Sequence, residues 1–173
     1  MGSLTLEKPR SKWQTEYLAH IDESIQADGD YPWNDKVLAQ SDFAAFLQDL
    51  QDEAAGVDLP PGIPPQQTYL IVMDDKTVIG ELRFRPHVDD PWETYNGHIG
   101  ANLRPAYRGK GHGTQMLKLT LELARSHGLA GVGMTIEATN HASIRVVEKC
   151  GGVLQRHFTE DHGTKIGCYW ITL

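Results

Sequence analysis

Residues 103–114 read LRPAYRGKGHGT, and this stretch decides how the rest of the sequence is interpreted. Gly109, Gly111 and Gly113 lie within five residues, so the backbone can turn tightly and approach a ligand without interference from Cβ atoms. A predicted helix follows, and the first turn of a helix offers unpaired N–H groups and about half a positive charge from its dipole. Such a junction binds phosphate oxygens. Taken alone, the glycines also describe a tight turn without a ligand.

Two other phosphate-binding motifs fit this stretch poorly. A Walker loop ends in Gly-Lys-Ser/Thr, and the dipeptide Gly113-Thr114 lacks the lysine. A dinucleotide fingerprint needs Gly-x-Gly-x-x-Gly with an acidic residue at the end of the next strand, whereas these three glycines alternate. Glu137 lies where that acidic residue would stand, so a nucleotide-binding domain stays an alternative.

The segments around the loop predict an α+β fold, a mixed α/β arrangement with a central, mostly antiparallel sheet flanked by helices. Alternating patterns predict strands over 68–73, 78–85, 98–104, 131–138, 153–159 and 165–173. Helical spacing predicts an amphipathic helix over 115–125 and a short one over 142–150. We expect one domain of residues 1–173, with a helical part over 1–58 and a sheet with the cofactor-binding core over 66–173.

Charge limits the partners that the chain can take. It has 173 residues, with 16 basic and 23 acidic side chains and a formal charge of −7. This balance argues against a nucleic-acid-binding protein, which would carry a basic patch. It is compatible with a cationic partner such as an amine, although mild acidity also serves solubility alone.

Cysteine usage and apolar runs predict a cytoplasmic protein. Only Cys150 and Cys168 are present, which suits a compartment where thiols stay reduced. No apolar run approaches the roughly 20 residues of a spanning helix, so we expect no membrane partner. The histidines and cysteines form no His-x-x-x-His or Cys-x-x-Cys pair, and we therefore predict no metal.

Two motifs at the right separation give the sequence a family resemblance. The pattern Arg108-x-x-Gly111-x-Gly113 resembles the Q/R-x-x-G-x-G/A signature of the GNAT superfamily of acyl-CoA N-acyltransferases. An amphipathic helix, a strand and an Asn-initiated short helix ending in Glu-Lys-x-Gly follow, as in that family. Here the last stretch, residues 140–152, reads NHASIRVVEKCGG. The resemblance covers about residues 68–173 and is tight over 98–152.

The resemblance implies acetyl-CoA as co-substrate and assigns residues to it. Main-chain groups of Asn102 and Leu103 would pair with the pantetheine arm, in a gap between two splayed strands of a V-shaped sheet. Asn140 and Ser143 would contact the cofactor from the other side, although Asn140 also reads as a helix N-cap. The pyrophosphate would be held by backbone N–H groups of Arg108, Gly109, Lys110, Gly111, His112, Gly113 and Thr114.

The chemistry of acetyl transfer needs a base, because a lysine-like amine has a pKa near 10.4 and is protonated at neutral pH. His98 is the first candidate, since a free histidine titrates near neutral pH, and Glu81 and Glu137 follow. A backbone N–H of the 98–104 strand would stabilise the oxyanion. Similar proteins often use a tyrosine of the last helix as general acid, and Val147 occupies that position here. Trp92 and Tyr95 are candidates for the acceptor pocket, or exposed loop residues.

By resemblance, the sequence therefore indicates a small N-acetyltransferase of bacterial type that transfers an acetyl group from acetyl-CoA to a primary amine. The amine would attack directly, without a covalent enzyme intermediate. The acceptor would be a small molecule or a peptide, and the resemblance allows a homodimer. A non-catalytic acyl-CoA-binding or sensing module is the competing function, because Val147 replaces the usual acid.

Overall fold

A computed structural model of the chain describes residues 2–31, 34–88 and 97–173. Over these residues the chain forms seven strands and five helices. In chain order they are β1 (Leu4–Glu7), α1 (Gln14–Asp28), α2 (Lys36–Ser41), α3 (Phe43–Ala55), β2 (Gln67–Met73), β3 (Thr77–Phe84), β4 (Ile99–Leu103), α4 (His112–Ser126), β5 (Gly131–Glu137), α5 (His141–Lys149), β6 (Val153–Thr159) and β7 (Lys165–Thr172).

The strands form two sheets, and the predicted α+β class is confirmed. One sheet has the order β1-β2-β3-β4 and the other the order β5-β7-β6. Strand β1 runs antiparallel to β2, with Leu4 opposite Met73, and β7 runs antiparallel to both β5 and β6. Strand β1 lies inside the part of the chain that we expected to be helical. Four residues are too few to show a period of two, so only pairing with β2 reveals this strand.

The chain divides into two compact units that are interleaved in sequence. The first unit contains Met1–Arg83 and Ala101–Arg108, and the second contains Phe84–Gly100 and Gly109–Leu173. The chain passes from one unit to the other at three places, within β3, within β4 and between Arg108 and Gly109.

The core of the first unit is aromatic. The ring of Tyr17 from α1 stacks on that of Phe46 from α3, with centroids 5.4 Å apart, and Phe43 packs beside both. Phe43, Phe46 and Leu50 follow helical spacing and are buried, as the sequence predicts. Burying such side chains removes large apolar areas from water and stabilises the unit.

Side chains decide where the helices of this unit begin. Asp42 caps α3, because its carboxylate accepts a hydrogen bond from the backbone N–H of Ala45 at 3.0 Å. From the sequence, Ser41 is also a plausible N-cap, because it precedes the helical spacing of Phe43, Phe46 and Leu50, but this prediction is wrong. The Ser41 hydroxyl instead donates to the carbonyl of Val37 at 2.8 Å, inside α2.

In the second unit, α4 buries one face as its amphipathic pattern predicts. Lys118, Glu122 and Arg125 are exposed on the opposite face. The buried side chains of α4 are His112, Met116, Leu117, Thr120, Leu121 and Ala124. Strand β6 lies at an edge of this sheet, where it pairs with β7, and it is exposed along almost all of its length.

His20 of α1 is a buried histidine that the structure keeps neutral. Its Nε2 lies 3.2 Å from Oδ1 of Asn102, and its ring is fully buried. Its Nδ1 has no hydrogen-bond partner among the described residues. Burial lowers the pKa of His20 to about 4, because a buried imidazolium loses its hydration.

We predict that this histidine makes folding stability depend on pH. Between the unfolded pKa of about 6.5 and the folded pKa of about 4, the unfolded chain binds one proton more than the folded chain. The free energy of unfolding therefore falls as the pH falls through this window, by about 3 kcal/mol for this residue alone. Urea denaturation at a series of pH values, with wild type and His20→Gln in parallel, measures this loss.

Each protein serves as the control for the other, because all other titrating groups are shared. The pH slope of the wild type should exceed that of His20→Gln in this window. Equal slopes would show that His20 does not carry the effect.

Candidate functional site

The strand-to-helix junction predicted from the sequence is present. Strand β4 ends at Leu103, a short 3-10 turn spans Pro105–Tyr107, and α4 begins at His112. Gly109 and Gly111 have φ angles of 72° and 87°, a left-handed conformation that favours glycine. The two glycines therefore have a conformational reason to be there, whether or not a ligand binds.

Helix α4 begins without a side-chain cap, unlike three other helices of the chain. Asp35, Asp42 and Asn140 each accept a hydrogen bond from a first-turn N–H of their own helix. The N-cap of α4 is Gly111, which has no side chain and makes no such bond. The first turn of α4 therefore points amide hydrogens and a partial positive charge at whatever lies beyond it, which is the arrangement that binds anions.

Arg108, the first residue of the predicted loop, is held by the protein itself. Its Nε donates to the carbonyl of Leu103 at 2.7 Å, and its Nη1 and Nη2 donate to the two carboxylate oxygens of Asp28 at 2.8 and 2.5 Å. The guanidinium lowers the pKa of Asp28, and the carboxylate raises the pKa of Arg108. Sequence reasoning missed Asp28, because Asp28-Gly29-Asp30 reads only as a polar helix end.

The edge of β4 shows how Asn102 and Leu103 are oriented. The N–H of Arg104 donates to the carbonyl of Ile79 in β3 at 2.8 Å. In an antiparallel strand the backbone groups alternate between edges, so those of Asn102 face β3 and those of Leu103 face the other way. The carbonyl of Leu103 accepts from Arg108, and the side chain of Asn102 accepts from the backbone N–H of Glu81 at 3.3 Å.

His98, the first candidate base, is hydrogen-bonded to β5. Its backbone N–H donates to the carbonyl of Gly133 at 2.9 Å, and the N–H of Gly133 donates to its Nδ1 at 3.0 Å. Because Nδ1 accepts, the ring proton is assigned to Nε2. The ring is buried, and burial lowers the pKa of His98. To accept a proton at Nδ1, His98 must release Gly133, so the geometry favours a structural role.

Glu81, the second candidate base, is the hub of a buried network. Its Oε2 accepts hydrogen bonds from the hydroxyls of Tyr17 and Tyr31 at 2.7 and 2.8 Å. Its Oε1 accepts from Nδ2 of Asn34 at 2.8 Å and from Nε of Arg83 at 3.2 Å. Burial, followed by the charge of Glu81, raises the pKa of both tyrosines well above 10, so they remain donors. Glu81 holds α1, β3 and the segment after α1 together.

The other predicted site residues belong mostly to the second unit. Glu137 is exposed at the end of β5. Asn140 caps α5, since its Oδ1 accepts from the N–H of Ser143 at 3.1 Å. Val147 is buried, at 4% exposure, and so offers no proton where similar proteins often have a tyrosine. Trp92 and Tyr95 lie outside the described residues.

Within residues 2–31, 34–88 and 97–173, no three or more His, Cys, Asp or Glu side chains come together as a metal would require. Among the helices of the same residues, none has the length and apolar character of a membrane span.

The comparison with protein families identifies the class. The sequence model of the acetyltransferase (GNAT) domain matches residues 4–153. The chain therefore belongs to the GNAT acetyltransferase family and is classed among the acyltransferases. None of the curated protein sequences matches this chain significantly.

Solved structures share the fold over nearly the whole chain. RimJ of Mycobacterium smegmatis in complex with CoA-disulfide has a TM-score of 0.74 and 17% identity, over 99% of this chain and 82% of that one. The microcin C7 self-immunity acetyltransferase MccE, in complex with acetyl-CoA and AMP, has a TM-score of 0.71 and 18% identity, over 98% of this chain and 92% of that one. The aminoglycoside acetyltransferase AAC(6')-Ib, in complex with coenzyme A, has a TM-score of 0.67 and 17% identity, over 98% of this chain and 95% of that one. At these identities the likeness concerns the fold.

Gly97 is a position in the second unit where a side chain has no room. Its φ is 57°, and an added Cβ would lie 2.4 Å from the carbonyl oxygen of Gly133, the partner of His98. We predict that Gly97→Ala lowers the free energy of unfolding by about 3 kcal/mol, from the left-handed backbone and the clash together. Urea denaturation measures the loss.

Gly163 is the matched control for this substitution. It has a φ of 93°, and nothing lies within 4 Å of an added Cβ. Gly163→Ala should cost only the backbone term, about 1 kcal/mol. Equal losses at the two positions would contradict the close packing of Gly97 on β5.

Proposed function

We propose that this chain is an N-acetyltransferase that moves an acetyl group from acetyl-CoA to a primary amine. The observation that carries the proposal is the glycine-lined start of α4, where the helix has no side-chain cap. Family membership supports acetyl transfer, and the complexes of RimJ, MccE and AAC(6')-Ib with CoA species or acetyl-CoA support the donor.

The diphosphate of acetyl-CoA would be bound by backbone. Amides from Gly109 to Thr114 would donate to its oxygens, helped by the dipole of α4. The cation of Lys110, exposed in this stretch, would add attraction without fixed geometry. The Asn140 side chain already caps α5 through Oδ1, so its Nδ2 would be the atom available to the cofactor.

The transfer would proceed by direct attack. The neutral amine nitrogen would bond to the thioester carbon to give a tetrahedral oxyanion and would pass one N–H proton to the base. The C–S bond would then break to leave the amide and release CoA thiolate. Thiols have a pKa of about 8.5, so a leaving thiolate is a weak base that water can protonate at neutral pH. Val147, in the position of the usual acid, is compatible with such a route.

The base remains a proposal among three residues. His98 would have to release the amide of Gly133, and Glu81 would have to release one of its four donors. Glu137 is exposed and needs no such release. A pH profile of kcat/KM for His98→Gln, Glu81→Gln and Glu137→Gln separates them, since loss of the base removes the acid limb of the profile.

The acceptor would be a small-molecule or peptide amine, and the acidic charge argues against nucleic acid as a partner. The proposal treats residues 1–173 as one functional domain in the cytoplasm, which the free thiols of Cys150 and Cys168 support. It allows a homodimer, which sedimentation at several concentrations would test.

A non-catalytic acyl-CoA-binding module is the second candidate function. The engaged states of His98 and Glu81 and the apolar Val147 favour it. Release of free CoA from acetyl-CoA in the presence of a panel of amines tests both functions. Turnover supports the enzyme, saturable binding without turnover supports the module, and absence of binding at millimolar CoA overturns both.

Gly109 allows a test of the loop itself. Its φ is 72° and nothing lies within 4 Å of an added Cβ, so Gly109→Ala displaces the loop backbone without colliding with the protein. We predict that this change weakens CoA binding about tenfold or more in calorimetry, since charged hydrogen bonds to the diphosphate are lost. Gly163→Ala imposes a similar backbone strain in the β6–β7 turn and should leave CoA affinity unchanged. Equal affinities of the two variants would contradict the assignment of the loop.

A further inference from the structure

Two arginines fasten the end of β4 and the following turn to α1, all within the first unit. Arg104 donates from Nε and Nη2 to the two carboxylate oxygens of Glu23, both at 2.6 Å. Arg108 makes a second bidentate pair, from Nη1 and Nη2 to the two carboxylate oxygens of Asp28. Carboxylates at the middle and end of α1 thus hold both ends of the Pro105–Tyr107 turn.

The Arg108 pair is more constrained than an ordinary surface ion pair. Both side chains are partly exposed, at 42% and 44%, and such pairs usually contribute little to stability. Here the contact is bidentate, and the Nε of the same guanidinium closes the turn on the carbonyl of Leu103. Three N–H groups in one plane fix the direction of the side chain and of its backbone.

The position of Asp28 at the end of α1 affects the charge of both residues in this pair. Asp28 is the last residue of α1, where the helix dipole disfavours a negative charge. Arg108 offsets that cost, and its own positive charge is in turn largely neutralised by Asp28. A neutralised guanidinium has little attraction left for a phosphate.

We propose that Arg108 is a positioning residue for the cofactor loop, with Asp28 as its partner, and does not itself bind the phosphates. The pair fixes the backbone of the residue directly before Gly109, where the glycine stretch begins. This inference rests on the proposed binding of acetyl-CoA to the loop.

Removal of Asp28 distinguishes this role from direct phosphate binding by the sign of the effect. If Arg108 were a phosphate ligand, Asp28 would compete with CoA, and its loss would free the cation and tighten binding. If the pair positions the loop, the same loss weakens binding, although the protein becomes less negative. The two roles therefore predict opposite changes in Kd.

Calorimetric titration of CoA into four variants carries out the test. We expect Asp28→Asn and Arg108→Gln each to raise Kd about three- to tenfold, and the double variant to raise it no further, because both remove one interaction. Asp22→Asn is the matched control, because it removes an exposed carboxylate of the same helix, whose Oδ1 accepts a hydrogen bond from Gln40 at 3.4 Å, and it should leave Kd unchanged.

Tighter binding by Asp28→Asn, or additive losses in the double variant, would overturn the inference. Amide chemical shifts of Gly109 and Gly111 in the ligand-free protein give a second readout that does not depend on CoA. These chemical shifts should differ from wild type in Asp28→Asn and should equal those of wild type in Asp22→Asn. Failure of the wild-type protein to bind CoA would refute the proposed function. Unchanged amide chemical shifts of Gly109 and Gly111 in Asp28→Asn would refute the positioning role itself.

Discussion

The unpaired amides at the start of a helix are the constraint on which the candidate site depends. Every helix leaves its first N–H groups without intrahelical partners, and this chain satisfies them with Asp35, Asp42 and Asn140 at α2, α3 and α5. At α4 it places Gly111 instead. Helix α1 also begins without a side-chain cap, at Trp13, but α4 begins at a turn of left-handed glycines, and this combination supports the proposal that its first turn binds another molecule.

The buried polar groups show how the same residue types serve structure where chemistry was expected. Glu81 has four donors around its carboxylate, and His98 uses Nδ1 to accept from the backbone of β5. Polar groups removed from water must be satisfied, and these two are. Their hydrogen bonds organise the elements of each unit, and any role in proton transfer would require one of these bonds to be given up.

Two ion pairs fix the turn before the glycine loop. Although the chain is acidic overall, the carboxylates of α1 are paired with Arg104 and Arg108 around the turn that leads to the glycine loop. Paired charges of this kind fix geometry more than they add stability. The loop is therefore approached from a stretch of backbone that is held in place, which suits a site that recognises a diphosphate through amides.

The sequence by itself determined the α+β class, all strands but β1, the amphipathic face of α4 and the family, because periodicity and two spaced motifs are local patterns. It also located the glycine loop, since left-handed backbone favours glycine. It could not determine that Arg108 is held by Asp28, that Tyr17 and Tyr31 surround Glu81, or that His98 is tied to Gly133. Those partners are far apart in the chain, and a titratable side chain is a base or a structural acceptor according to the neighbours that folding brings to it.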